Sequence, residues 1–172
     1  MADAPPTADL PAAAMAQFDA ALALAPDDPA LYLQVAAAFP EAEHQLRYLD
    51  LGIAQFPEEG TLHLARGHAL YSIYLSDWQF ERQVRYAHRQ DALHDAALSY
   101  TAAQNLGAPG VADYANIVAW LLFGQAQGRL GNVQGALMAY RRHIALAEAT
   151  DRFPPDPGAV AYVAAHVPIT GH

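Results

Sequence analysis

The stretch from Trp120 to Tyr140 limits what this chain can fold into more than any other. Phe123 and Gly124 follow Trp120 at plus three and plus four, and Ala136 and Tyr140 fall at plus sixteen and plus twenty. Gly124 has no side chain, so a neighbouring helix can approach closely. Ala136 is the small residue where a second helix crosses the first, and the aromatics fill the gaps around these two contacts. Between them, Gly131-Asn132 reads as a turn that ends one helix and caps the next. The stretch is a helix pair.

The same spacing resembles the tetratricopeptide repeat (TPR), a helix–turn–helix of about 34 residues with the pattern W-x2-L-G … A-x3-F … P. Weaker copies lie upstream. Ala14, Phe18, Ala21 and Pro26 match the second half of a repeat, within a helix capped by Asp9 and running to about Ala25. This half-repeat (9–26) follows a frayed lead-in, residues 1–8, and serves as an N-terminal cap. Pro26-Asp27-Asp28-Pro29 is the inter-repeat turn. Tyr32, Val35, Ala36 and Phe39 then fill the first-helix slots of a repeat spanning about 29–57. Its second helix runs from about Glu41 to Phe56, and Gln45 takes the place of the small crossing alanine.

A third unit, about 60–108, has Gly67 as its close-approach glycine and Ala96, Tyr100 and Ala103 in its second-helix slots. Gly67 and Ala96 are 29 apart, where the pattern expects about 12, so this unit carries an insertion over roughly 71–89. Ser76-Asp77-Trp78-Gln79 looks like a capping box opening a helix that continues to Asn105, about 40 Å long. The fourth unit covers 117–150. A short helix over 157–166 caps the last face, because an uncapped repeat end leaves apolar surface in water.

Composition agrees with close-packed helices. The hydrophobic fraction is 53%, rich in alanine, with only 16% charged residues. All nine basic residues are arginine and the net charge is −9, a poor match to a phosphate backbone, so no nucleic acid is expected. There is no cysteine, which removes disulfides, thiolate metal sites and cysteine nucleophiles. No signal peptide is legible at the N-terminus, and the longest apolar run, near Ile117 to Phe123, is too short for a membrane span. A soluble, cytoplasmic protein is the expectation.

The fold expected is all-α: a TPR-like right-handed superhelix of antiparallel helix pairs, with one extended helix and terminal capping helices. The resemblance implies a concave groove lined by first helices. On this chain its lining falls at Leu33 and Ala37, then Leu64, His68 and Tyr71, then Leu121 and Gln125. That groove is mostly apolar and lacks the basic clamp with which some members hold a C-terminal carboxylate, so it suits a hydrophobic segment or an amphipathic helix. The alternative is that the leucines are covered and form core.

In the insertion, Trp78 and Phe80 are candidate anchors for a partner or for a homodimer. Arg82, Arg85 and Arg89 form a basic stripe there, more simply read as a solvated face paired with Asp91 and Asp95. Glu41-x-x-His44 and Asp91-x-x-His94 have a spacing used by di-iron bundles, but the first helices offer no inward carboxylate to complete such a site. No phosphate loop, G-x-S-x-G elbow or H-E-x-x-H motif occurs. The expectation is a non-catalytic protein–protein interaction module without metal or cofactor, an adaptor or assembly scaffold. The alternatives are a dedicated small acidic TPR chaperone for a client protein and, behind it, a metal-binding helical protein.

Overall fold

A computed structural model of the chain describes residues 10–76 and 89–166. These residues form eight α-helices and no strand: α1 (Leu10–Leu24), α2 (Pro29–Ala37), α3 (Ala42–Gln55), α4 (Gly60–Ser76), α5 (Arg89–Asn105), α6 (Tyr114–Arg129), α7 (Val133–Glu148) and α8 (Pro157–His166). The protein is all-α. No helix among the described residues is long and apolar enough to cross a membrane.

The helix boundaries follow from local chemistry. Asp28 accepts from the Ala30 N–H at 2.9 Å and Pro29 opens α2, where a missing N–H costs nothing. Asn132 caps α7 through the Gly135 N–H at 3.0 Å, and Asp156 caps α8 through the Ala159 N–H at 2.9 Å. Two helix ends need a left-handed residue. Gly107 (φ +69°) and Gly131 (φ +74°) supply it, and each lets the following N–H return to a carbonyl five residues back.

Helices pack on their sequence neighbours, in the pairs α2/α3, α4/α5 and α6/α7, with α3 also on α4, α5 on α6 and α7 on α8. The first helices of these pairs also touch: α2 meets α4, and α4 meets α6. At the N-terminal end, α1 rests on the first pair through Phe18, which sits 5.4 Å from Phe39 and 6.4 Å from Tyr48, edge to face. The core runs through all three pairs, and a smaller cluster of Ala136, Tyr140 and Ala159 joins α7 to α8.

Within the pairs, glycine decides how close the helices come. A Cβ on Gly67 would stand 2.6 Å from the Tyr100 ring, and one on Gly124 would stand 2.6 Å from the Tyr140 ring. Ala96 and Ala136, one turn before these tyrosines, are fully buried at the crossing.

The α2/α3 pair departs from the expected crossing at Gln45. Here the turn is shorter, and the Gln45 side-chain amide donates to the Phe39 carbonyl at 2.7 Å, closing the end of α2. The close contact moves to Gly52, whose Cβ position lies 3.0 Å from Tyr32. The insertion also departs from expectation at its start. Residues 71–76 complete α4, so Ser76 ends one helix instead of capping another. The remainder of the anticipated 40 Å helix, before Arg89, lies outside the described residues.

These contacts make a specific stability prediction. Gly124→Ala should lower stability by about 1–3 kcal/mol despite alanine's better helix propensity, because its methyl meets the Tyr140 ring. Gly128 lies on the same helix with nothing within 4 Å of its Cβ position. Gly128→Ala should therefore raise stability by about 0.5–1 kcal/mol. Urea unfolding of the two variants beside wild type measures both signs.

Candidate functional site

Where α4 meets the start of α6, one carboxylate does two jobs. Asp113 is the N-cap of α6, and its Oδ1 accepts from the Asn116 N–H at 2.9 Å. Its Oδ2 lies 2.6 Å from Nε2 of His68, which is one turn along α4 from Leu64. Two first helices are thereby tied by a charge-assisted contact at their surface, the His68 side chain remaining 41% exposed. Burial pushes the Asp113 carboxyl up. The His68 hydrogen bond and the Asn116 and Ala115 backbone N–H groups outweigh that and hold it below its ordinary value.

Beneath this pair is a ring of tyrosines. The His68 ring meets Tyr100 edge-on at 5.6 Å. Tyr100 is fully buried, and among the described residues its hydroxyl has no hydrogen-bond partner. Burial, then the nearby Asp113 and Tyr71, push its phenol far above the usual range. Tyr71 stacks on Tyr74 with ring centroids 6.4 Å apart, and Tyr114 leans on Phe153 at 5.2 Å. Tyr114 is 60% exposed, so this aromatic cluster reaches the surface.

The residues expected in the groove distribute unevenly. Leu64, His68 and Tyr71 share one face of α4, but Tyr71 is only 8% exposed and belongs to the core. Leu33 on α2 and Leu64 on α4 are half-buried against the core, whereas Ala37 is exposed. Gln125 on α6 is half-buried. Leu121 packs instead into the cluster of Tyr140, Ala159 and Tyr162 under α8. Trp78, Phe80, Arg82 and Arg85 lie outside the described residues, and Arg89 opens α5. Asp113, which joins the two helices, and its exposed neighbour Tyr114 were not among the sequence candidates. An aspartate just ahead of an apolar run is a legible cap, but its second bond spans 45 residues.

The described histidines outside the His68–Asp113 pair meet neighbours of their own. His44 Nδ1 is 3.5 Å from Glu41, His94 tilts over Phe123 at 5.6 Å, and a His63 ring nitrogen is 2.9 Å from the Pro57 carbonyl. His143 is the buried one. Its Nδ1–H donates to the Ile117 carbonyl and its Nε2 accepts from the Asp156 N–H, both at 2.9 Å, joining α6, α7 and the turn into α8.

Comparison with protein-family models, curated proteins and solved structures gives no match for this chain.

Asp113 generates a pH prediction. A carboxyl depressed in the folded state contributes stability that is full above the ordinary carboxyl range of about 4 and lost as pH falls through the lower folded value. Asp113→Asn keeps the cap but loses the charge facing His68. The stability gap between wild type and this variant, from urea unfolding at a series of pH values, should shrink as pH falls below about 5. A gap that stays flat across the acid range would show that folding does not perturb Asp113.

Proposed function

We propose that this chain is a TPR-like helical-repeat module without catalytic activity, in which α2, α4 and α6 hold a segment of a partner protein. The observation that carries this reading is a separation of charge. The helices α2, α4 and α6 contain no aspartate or glutamate, in a chain that has 18. Among the described residues the carboxylates sit in turns, at caps such as Asp28 and Asp113, and on α1, α3, α5 and α7. Because the first helices touch in order, their carboxylate-free residues are neighbours. A surface of Leu33, Ala37, Leu64, His68 and Gln125 can receive an apolar stripe with no carboxylate of its own helices against it, and the neighbouring Asp113 carboxylate is already bonded to His68 and the Asn116 N–H.

Two further features support the reading. The Gly67–Tyr100 and Gly124–Tyr140 contacts repeat one packing device in successive pairs, as a repeat architecture requires. Tyr114 offers an exposed, rigid aromatic with a polar tip, the kind of side chain on which partner binding often concentrates.

A photo-reactive benzophenone residue tests the assignment. Placed at Ala37, Tyr114 or Gln125, it should cross-link one and the same protein in lysate of the source cells. Placed at Ala54 on α3 or Glu148 on α7, it should not. A cross-link obtained only from Ala54 and Glu148 would move the interface off the first helices.

A further inference from the structure

A cavity of about 540 Å³ opens between α5 and α7. Its walls are second helices, so it does not depend on the reading given above. Trp120 of α6 and Leu137 of α7 are buried residues at its base, 3% and 6% exposed. Met138, half exposed, adds an apolar side chain at the rim. The apolar strip continues along α5, where the exposed Leu98 lies on the same helix face as the lining residues Thr101 and Asn105.

The charge lining the cavity runs against that of the protein. Arg141 and Arg142 contribute to it and no carboxylate does, although the chain carries twice as many acidic as basic residues. Elsewhere Arg47 pairs with Asp19 and Arg66 with Asp50, each at 2.8 Å. Neither Arg141 nor Arg142 has an ion-pair partner among the described residues. Arg142 instead holds its guanidinium 6.0 Å from the centre of the Trp120 ring. The Trp120 indole N–H is buried and has no hydrogen-bond partner among the described residues. Unpaired cations beside an apolar base with an orphaned donor make a site suited to an anion attached to something apolar.

Asn105 and Gln134 complete the lining on facing walls. A primary amide both donates and accepts, which matches a peptide bond. The strip that runs on to Leu98 gives a bound chain more surface than a small acid would use.

We propose that the cavity between α5 and α7 docks an acidic peptide segment. Arg141 and Arg142 hold its carboxylates, Trp120, Leu137 and Met138 receive an apolar side chain, and Asn105 and Gln134 bond its backbone. Attraction of an acidic segment by a protein of net charge −9 is local, working within a Debye length of the two arginines.

The test uses fluorescence anisotropy at low salt with a fluorescein-labelled peptide, Glu-Glu-Leu-Asp-Glu-Leu, and its amide counterpart, Gln-Gln-Leu-Asn-Gln-Leu. The acidic peptide should bind at least about tenfold more tightly than the amide form, and weaken as salt rises. Arg141→Gln should weaken it about fivefold or more, whereas Arg152→Gln, in the turn before α8, should leave it unchanged. Arg141 is exposed, so its substitution spares the core, and circular dichroism verifies the fold. Arg142→Gln serves as the second variant, with the same loss expected.

In a Trp78→Phe background the emission of Trp120 should shift on binding of the unlabelled acidic peptide. Equal affinity for the two peptides, or indifference to Arg141→Gln, overturns the proposal. So does a silent Trp120. Citrate displacing the peptide with equal or better affinity would make this a small-acid site and overturn the peptide assignment.

Discussion

Each of the pairs α2/α3, α4/α5 and α6/α7 closes over a contact between a glycine and a tyrosine. In α4/α5 and α6/α7 the glycine is on the first helix and the ring on the second, at Gly67–Tyr100 and Gly124–Tyr140. In α2/α3 the arrangement is exchanged, with Tyr32 on the first helix and Gly52 on the second. The requirement is the sum of the two side chains, since interiors are packed to crystalline density. A large ring needs a vacant position opposite it, and either helix can supply the vacancy. The exchange keeps a similar contact while the turn between α2 and α3 is shortened.

Bonds between pairs then fix how one pair sits against the next. His68 and Asp113 join α4 to the first turn of α6, and the Arg66 guanidinium bridges Asp50 on α3 and Ser99 on α5. His143 performs the last such link. It stands seven residues after Ala136, the slot that Ala103 fills after Ala96 in the preceding pair. Alanine suffices where only packing is needed. At the end of the array the imidazole instead spans from the Ile117 carbonyl to the Asp156 N–H, so the turn into α8 is held by the same buried side chain that packs α7 on α6.

What could be read from the sequence divides along the same line. Contacts within the last pair were legible, because Gly124, Ala136 and Tyr140 follow a spacing that reports helix geometry directly. Gly131-Asn132 and Asp28-Pro29 were legible as turn and cap for local reasons. Gly52 was missed because spacing alone assigns the crossing to Gln45, and only the shortened turn reveals the shift. The run of α4 through Ser76 was missed because a serine can end a helix as readily as begin one. The cap at Asp113 was visible, but its bond to His68 depends on how neighbouring pairs stack. The cavity between α5 and α7 was invisible for that reason too, being made by residues from three helices.

The distribution of charge joins the two proposed surfaces into one argument. A helical protein that presents an apolar face must still remain in solution, and among the described residues the carboxylates sit at caps, in turns and on α1, α3, α5 and α7. An arginine on or beside a second helix therefore finds an acidic neighbour most easily, as Arg47 on α3 does with Asp19 and Arg66 on α4 does with Asp50 of α3. Arg141 and Arg142 lie on such a helix and border a cavity that no carboxylate lines. With no ion-pair partner among the described residues, these two cations forgo an attraction that a single nearby substitution to glutamate would supply. An incoming acidic segment would supply it instead, while the proposed surface on the first helices would favour an apolar one. If both proposals hold, the two surfaces would discriminate between partners by opposite chemistry.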